Sequence, residues 1–257
     1  MVAAAGEHMG IAIAAAERHA PGAFAIAAEI ADESQIPLGE SLGKSTPVAL
    51  GPAPRREVPV FHWPVGALPV LSRASAVAGA QRGWIVRPDP QLLVIEAQTT
   101  ADQLTDLFLG MIERLPSADN LEIRLLDHFD DAGQVDVWLT SRIDARKILH
   151  FLDDHDDELL GNGHLELAIY VRSQRATLRL TEHKTVVWLA SDRALEAEVG
   201  RWLGELGVPP VDALVGVKDA PHFHYRPAKS RDRKKLGDEL YRQRLRRVDT
   251  VRPSAAP

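Results

Sequence analysis

The sequence predicts an α+β protein: a ferredoxin-like (βαββαβ) antiparallel sheet extended by a β-meander, with a proline-rich N-terminal lead-in and a basic C-terminal helix. Three observations predict it. From residue 91 to 217, two-residue alternation and 3.6-residue periodicity take turns in the order strand, helix, strand, strand, helix, strand. Apolar residues are 45% of the 257, enough to build a buried core. Prolines at 37, 47, 52, 54, 59, 64, 69, 88 and 90 forbid a long helix before that region.

Three parts follow: an Ala-rich then Pro-rich region over 1–90, the central α+β domain over 91–217, and a connector, basic amphipathic helix and flexible end over 218–257. Residues 1–35 hold 13 alanines, with short helices expected over Glu7–His19 and Ala23–Ser34, broken at Pro21-Gly22. Short strands are expected near Val58–His62 and Trp84–Arg87. Leu92–Ala97 is an apolar strand. Thr99 or Thr100 then caps a helix to about Leu115, with Leu104, Leu107, Phe108, Met111, Ile112 and Leu115 on one stripe. Leu121–Phe129 and Val135–Ser141 read as a hairpin, Arg142–Leu160 as a helix stopped by Gly161-Asn162-Gly163, and Leu165–Val171 as the next strand. Ala176–Thr181 and Thr185–Ala190 form the meander, and a helix over Arg193–Leu206 ends at Gly207-Val208-Pro209-Pro210.

Alternation also assigns the sheet's faces. Leu121, Ile123, Leu125, Val135, Val137, Leu139, Leu165, Leu167, Ile169, Val171, Leu178 and Leu180 are expected beneath the helices. Arg124, Trp138, Tyr170, Arg172 and Arg179 are expected on the opposite face, beside Glu122, Asp136 and Glu166. Arginines interleaved with aromatics are what RNA-binding sheets use to stack bases. No RNP-type motif accompanies them, and a covering segment is the simpler reading.

Charge is unevenly spread. The chain carries −6, yet Lys229–Arg247 carries nine basic residues against three acids, a net of +6. The remainder is therefore at −12, and Asp127–Glu158 alone holds ten carboxylates against three basic residues. Leu236, Leu240, Tyr241, Leu245 and Val248 give the basic segment an apolar stripe, which predicts docking on the protein's own acidic body or on a partner. Docking on the body would bury Leu240 and Tyr241.

Chemistry-bearing motifs are few. Gly39-Glu40-Ser41-Leu42-Gly43 matches G-x-S-x-G, but too little chain precedes it to build the sheet and oxyanion hole of a nucleophile elbow. Gly43-Lys44-Ser45-Thr46 resembles the end of a P-loop, but three residues rather than four separate its glycines. His222-Phe223-His224 would set two imidazoles on one side of a strand, as a metal pair requires. No third ligand is legible, and an aromatic connector is the simpler reading. His150, Asp154 and His155 read as part of a solvated acidic helix face. Asp127–Asp131 lacks the alternating oxygens of a calcium loop.

The absence of cysteine excludes disulfides, thiolate zinc sites and a cysteine nucleophile. It fits a cytoplasmic setting, and no signal peptide or membrane span is expected. Arginine exceeds lysine 23 to 7, a bias associated with GC-rich bacterial genomes. The function expected from sequence is a non-enzymatic accessory or adaptor protein, with no catalytic set, metal or cofactor. It would hold a protein or peptide partner through Arg124, Trp138, Tyr170, Arg172 and Arg179 or through Arg233, Lys234, Arg242, Arg244 and Arg246. A nucleic-acid-binding module using the same residues is the second reading. An enzyme with its site between lead-in and domain is the third.

Overall fold

The computed structural model describes residues 2–31, 47–50, 61–126 and 135–251. The Gly39–Thr46 motifs, the Asp127–Asp131 turn and residues 58–60 lie outside the described residues.

In chain order the elements are β1 (Val2–Ala3), α1 (Met9–His19), β2 (Val48–Ala49), β3 (Ala67–Pro69), β4 (Gly83–Arg87), β5 (Leu93–Gln98), α2 (Leu104–Glu113), β6 (Asn120–Leu125), β7 (Val135–Leu139), α3 (Ala145–Asp153), α4 (Asp156–Leu159), β8 (Leu165–Val171), β9 (Ala176–Leu180), β10 (Val186–Ala190), α5 (Glu196–Glu205), β11 (His222–His224), α6 (Arg233–Arg242) and β12 (Arg246–Val251). Mixed α and β structure with antiparallel sheets is what the sequence predicts. None of the described helices is long and apolar enough to cross a membrane.

Eight strands form one antiparallel sheet in the order β12-β7-β6-β8-β9-β10-β5-β4. This order departs from the ferredoxin-like expectation. The β7–α3–α4–β8 crossover does leave one strand, β6, between its ends, as a split βαβ unit does. The β5–α2–β6 crossover instead spans three strands, because the hairpins β8–β9 and β9–β10 run outward from β8 and bring β10 against β5. Short hairpin loops cost less closure entropy than distant pairings, so the meander takes the edge that β5 would have filled.

α2 buries Leu104, Leu107, Phe108, Met111 and Ile112, the stripe that its periodicity predicts. The expected helix over Arg142–Leu160 breaks in two. Asp144 caps α3 by accepting from the Lys147 N–H at 3.0 Å, and His155, outside helical dihedrals, separates it from α4. No helix forms over residues 23–31; that stretch is irregular and makes one bridge, Ala28 to Val70.

Cross-strand register corrects the face assignment of β7. Trp138 lies opposite Ile123, and Asp136 opposite Leu125, so both point to the helix side. Val135, Val137 and Leu139 face the other way, with Glu122 and Arg124. Trp138 is buried because α6 lies over it, with Gly237 in the helix at van der Waals distance from the indole. Arg172 is not on the sheet at all. It opens a short 3₁₀ turn beyond β8.

The basic tail docks on the body: Leu236, Leu240 and Leu245 join the main core. Tyr241, expected to be buried, is 74% exposed. The helix also stops five residues before the end of the basic run, at Arg242. Leu245 N–H donates to the Leu240 carbonyl and Arg244 N–H to that of Tyr241, a Schellman stop with its apolar contact between Leu240 and Leu245. Residues 246–251 then pair with β7 as an edge strand. Asp136 is held there by Arg233 at 2.8 Å and by Arg247. Arg244 occupies the left-handed position of the stop, at φ +66°, where a side chain carries strain. Arg244→Gly is therefore expected to raise stability by up to about 1 kcal/mol in urea unfolding.

A second, smaller core lies beside the sheet. Trp63, Ala67, Leu68 and Val77 pack with Val217, Ala220 and Tyr225, and Met9 and Ile13 of α1 lean on it. β3 and β11 form its small antiparallel sheet. The lead-in and the connector thus meet as one packed layer.

Candidate metal centre

His183, His222 and His224 meet where this second layer touches the main sheet. They are the one group of three or more potential ligand residues found among the described residues, with one ring nitrogen from each inside a 4.8 Å span. Their ring centroids stand 4.8, 4.9 and 5.0 Å apart, nearly an equilateral triangle. All three side chains are half-buried.

Each imidazole has a local reason to be there. His183 sits in the loop between β9 and β10, whose residues Glu182, His183 and Lys184 span the hairpin. Lys184 N–H donates to the Thr181 carbonyl at 2.9 Å, and Thr181 N–H to that of Thr185 at 3.0 Å. A three-residue hairpin loop of this kind needs a left-handed residue at its end, and Lys184 supplies it at φ +62°. The middle residue, His183, is thereby presented at the tip.

Lys184 is fully buried, and its Nζ donates to the Asn162 carbonyl at 2.5 Å. Burial pulls its pKa down to about 7, against the upward pull of Glu182 and Glu166. Its stem lies where a Cβ on Gly66 would go, so the hairpin tip is wedged against the second layer.

His222 and His224 alternate with Phe223 on β11, opposite Pro69 and Ala67 of β3, and so share a face. Two carbonyls orient them. His222 Nδ1 lies 2.7 Å from the Ala220 oxygen, and His224 Nδ1 lies 2.9 Å from the Gly163 oxygen. A carbonyl can only accept, so both Nδ1 atoms carry hydrogen and donate. In the neutral rings Nε2 is then a bare lone pair. Yet the two Nε2 atoms face each other at 3.0 Å. Two lone pairs at that distance repel unless a cation, either a proton or a metal ion, lies between them.

Glycine contacts fix the Gly163 carbonyl. Gly163 N–H donates to the Tyr225 carbonyl at 2.8 Å, and Tyr225 N–H to that of Gly66 at 2.8 Å. A Cβ on Gly163 would lie 1.8 Å from the Gly66 oxygen, so no side chain fits. This backbone crossing carries the loop after α4 against β11.

The residues singled out by sequence do not assemble into one site. Arg124 pairs with Glu122 at 2.5 Å, and the Tyr170 hydroxyl donates to the same carboxylate at 2.7 Å. Burial and Glu122 hold the Tyr170 hydroxyl above its ordinary pKa. Arg179 pairs with Glu166 at 2.7 Å. Trp138 faces the helices, and Arg172 lies off the strands. In the tail, Arg233 is committed to Asp136 and Arg242 reaches Glu239, while Lys234, Arg244 and Arg246 are exposed. His150 and Asp154 form an exposed pair at 3.6 Å, and His155 Nδ1 donates to the Phe151 carbonyl at 2.9 Å.

The third imidazole is what sequence reasoning missed. The signal available was the hairpin itself: two alternating strands flank Thr181–Thr185 and place a histidine at the loop tip.

Neither family models, curated proteins nor solved structures gave a match for this chain.

Proposed function

We propose that this protein binds a divalent first-row transition metal ion through His183, His222 and His224, and that this centre is where it functions. The observation that carries the proposal is the facing pair of Nε2 atoms at 3.0 Å with both Nδ1 atoms donating to carbonyls. An outer hydrogen bond that fixes the ring and leaves the inner nitrogen as lone pair is how metal-ligating histidines are held. Imidazole suits zinc, copper, nickel and iron. The centre lies between the lead-in layer and the sheet, where the enzyme reading of the sequence would put a site.

Zinc serves as the probe. Chelator-stripped protein dialysed against Zn²⁺ is expected to retain one ion per chain. His183→Ala, which changes only a loop tip, should weaken binding by more than the about 10–100-fold that disturbing an outer partner costs. The wild-type protein binding no stoichiometric zinc would leave a shared proton between His222 and His224 and end the proposal.

A second reading keeps the tail as a recognition surface for an acidic protein or peptide partner. It is favoured by Lys234, Arg244 and Arg246, exposed and in no ion pair among the described residues, beside the exposed Tyr241. Changing the three to Glu should abolish binding of an acidic peptide and leave stability within about 0.5 kcal/mol. Single-stranded nucleic acid bound tightly at physiological salt would redirect this reading to nucleic acid.

A further inference from the structure

We infer that the metal ion clamps the second layer onto the main sheet, so that the layer is held closed while the ion is bound and opens more readily once it is removed. The inference rests on the metal-binding proposal above and goes one step beyond it, from where the ion binds to what its binding changes.

The origin of the ligands is the first argument. His183 stands at the tip of the β9–β10 hairpin, which belongs to the eight-stranded sheet. His222 and His224 stand on β11, which pairs only with β3 among the described strands and belongs to the second layer. Docking of the layer is what gathers the three ring nitrogens inside 4.8 Å. Opening it would carry the β11 pair away from His183 and break the set. An ion that needs all three therefore binds the closed arrangement and favours it by mass action.

The character of the seam is the second argument. The two cores share no residue among the described ones. Polar contacts cross between them. Gln98 Nε2 donates to the Val215 carbonyl at 3.0 Å, and Lys218 pairs with Glu96. The Ala101 N–H donates to the His62 carbonyl at 3.0 Å, and the Gly163 N–H to that of Tyr225 at 2.8 Å. Water can replace such contacts as a seam opens, so each holds the layer by little, whereas a merged apolar core would resist. A unit joined in this way opens at a lower free energy than the whole fold. That leaves a range of closure for the ion to control.

Amide hydrogen exchange of the full-length protein, followed by NMR with and without zinc, tests this. The Gly163 and Ala101 N–H groups are the reporters, because each donates across the seam. At free zinc about 100 times its Kd, the opened layer should become about 100-fold rarer, and both amides should exchange at least about tenfold more slowly. His183→Ala keeps both β11 histidines but has no ligand on the hairpin. Zinc, even raised about tenfold, should leave its two rates within about twofold of the metal-free values. Far-UV circular dichroism confirms that this variant is folded. If the wild-type protein retains one zinc but both amides exchange as in the stripped protein, the inference is overturned and the binding proposal stands. Equal slowing in His183→Ala would overturn it too, since the ion would then act within β11 alone. If no zinc is retained, both fail.

Discussion

Leu240→Ala should cost about 2–5 kcal/mol of global stability, and a chain ending at Ala228 should lose more than that. Leu240 is 1% exposed, Leu236 and Leu245 3% each, and all three belong to the main core. Cutting at Ala228 removes α6 and β12 together, uncovers Trp138 and leaves Asp136 without Arg233 and Arg247. Domains of this kind are stable by about 5–15 kcal/mol, so the truncated chain should be close to unfolded without denaturant. Urea unfolding monitored by tryptophan fluorescence measures both. Leu240→Ala within about 0.5 kcal/mol of the parent would mean that the helix does not pack in solution.

The tail shows how far sequence could go. The stripe at Leu236, Leu240 and Leu245 was legible because helical spacing and burial agree. Tyr241 was misread because it extends the same stripe by one position, where the helix already turns to solvent. The end of the helix was not legible either. The Schellman stop places arginine, not glycine, at its left-handed position, so the usual signal is missing.

β7 was misread for a different reason. Both its faces carry apolar side chains, so alternation alone cannot choose between Val135–Val137–Leu139 and Trp138. The choice is made by α6, which covers Trp138 from far along the chain. The long-range strand order escaped for the same reason, since β5 pairs with β10 and not with a strand its own crossover could reach. Local elements such as α2 and the hairpins were readable, because their signals need no distant partner. Two of the three imidazoles of the candidate centre were readable in that sense. His222 and His224 alternate on one strand, but His183 joins them only once the second layer has docked on the hairpin loop.

Gly163→Ala should be the most damaging single change at the centre. The added carbon would lie 1.8 Å from the Gly66 oxygen, 2.6 Å from its carbonyl carbon and 3.0 Å from the Tyr225 oxygen, all of them backbone atoms. Backbone cannot rotate away as a side chain can, so the two layers must part. Overpacking typically costs about 1–3 kcal/mol and a backbone clash of this depth should reach or exceed the upper figure. The carbonyl of Gly163 itself orients His224, so zinc affinity should fall by about 10–100-fold as well. Gly204→Ala is the control: a Cβ there meets nothing within 4 Å, and α5 should keep or slightly gain stability. Equal effects at the two glycines in urea unfolding would contradict the close crossing of Gly66 and Gly163.

The central claim is that His183, His222 and His224 together hold one metal ion. Crystals of the zinc-loaded full-length protein, with diffraction recorded on both sides of the zinc absorption edge, test it most directly. The account predicts one anomalous peak per chain, about 2.0–2.1 Å from a ring nitrogen of each of the three histidines. A peak elsewhere, or none at the cluster while His222 and His224 still face each other, would contradict it.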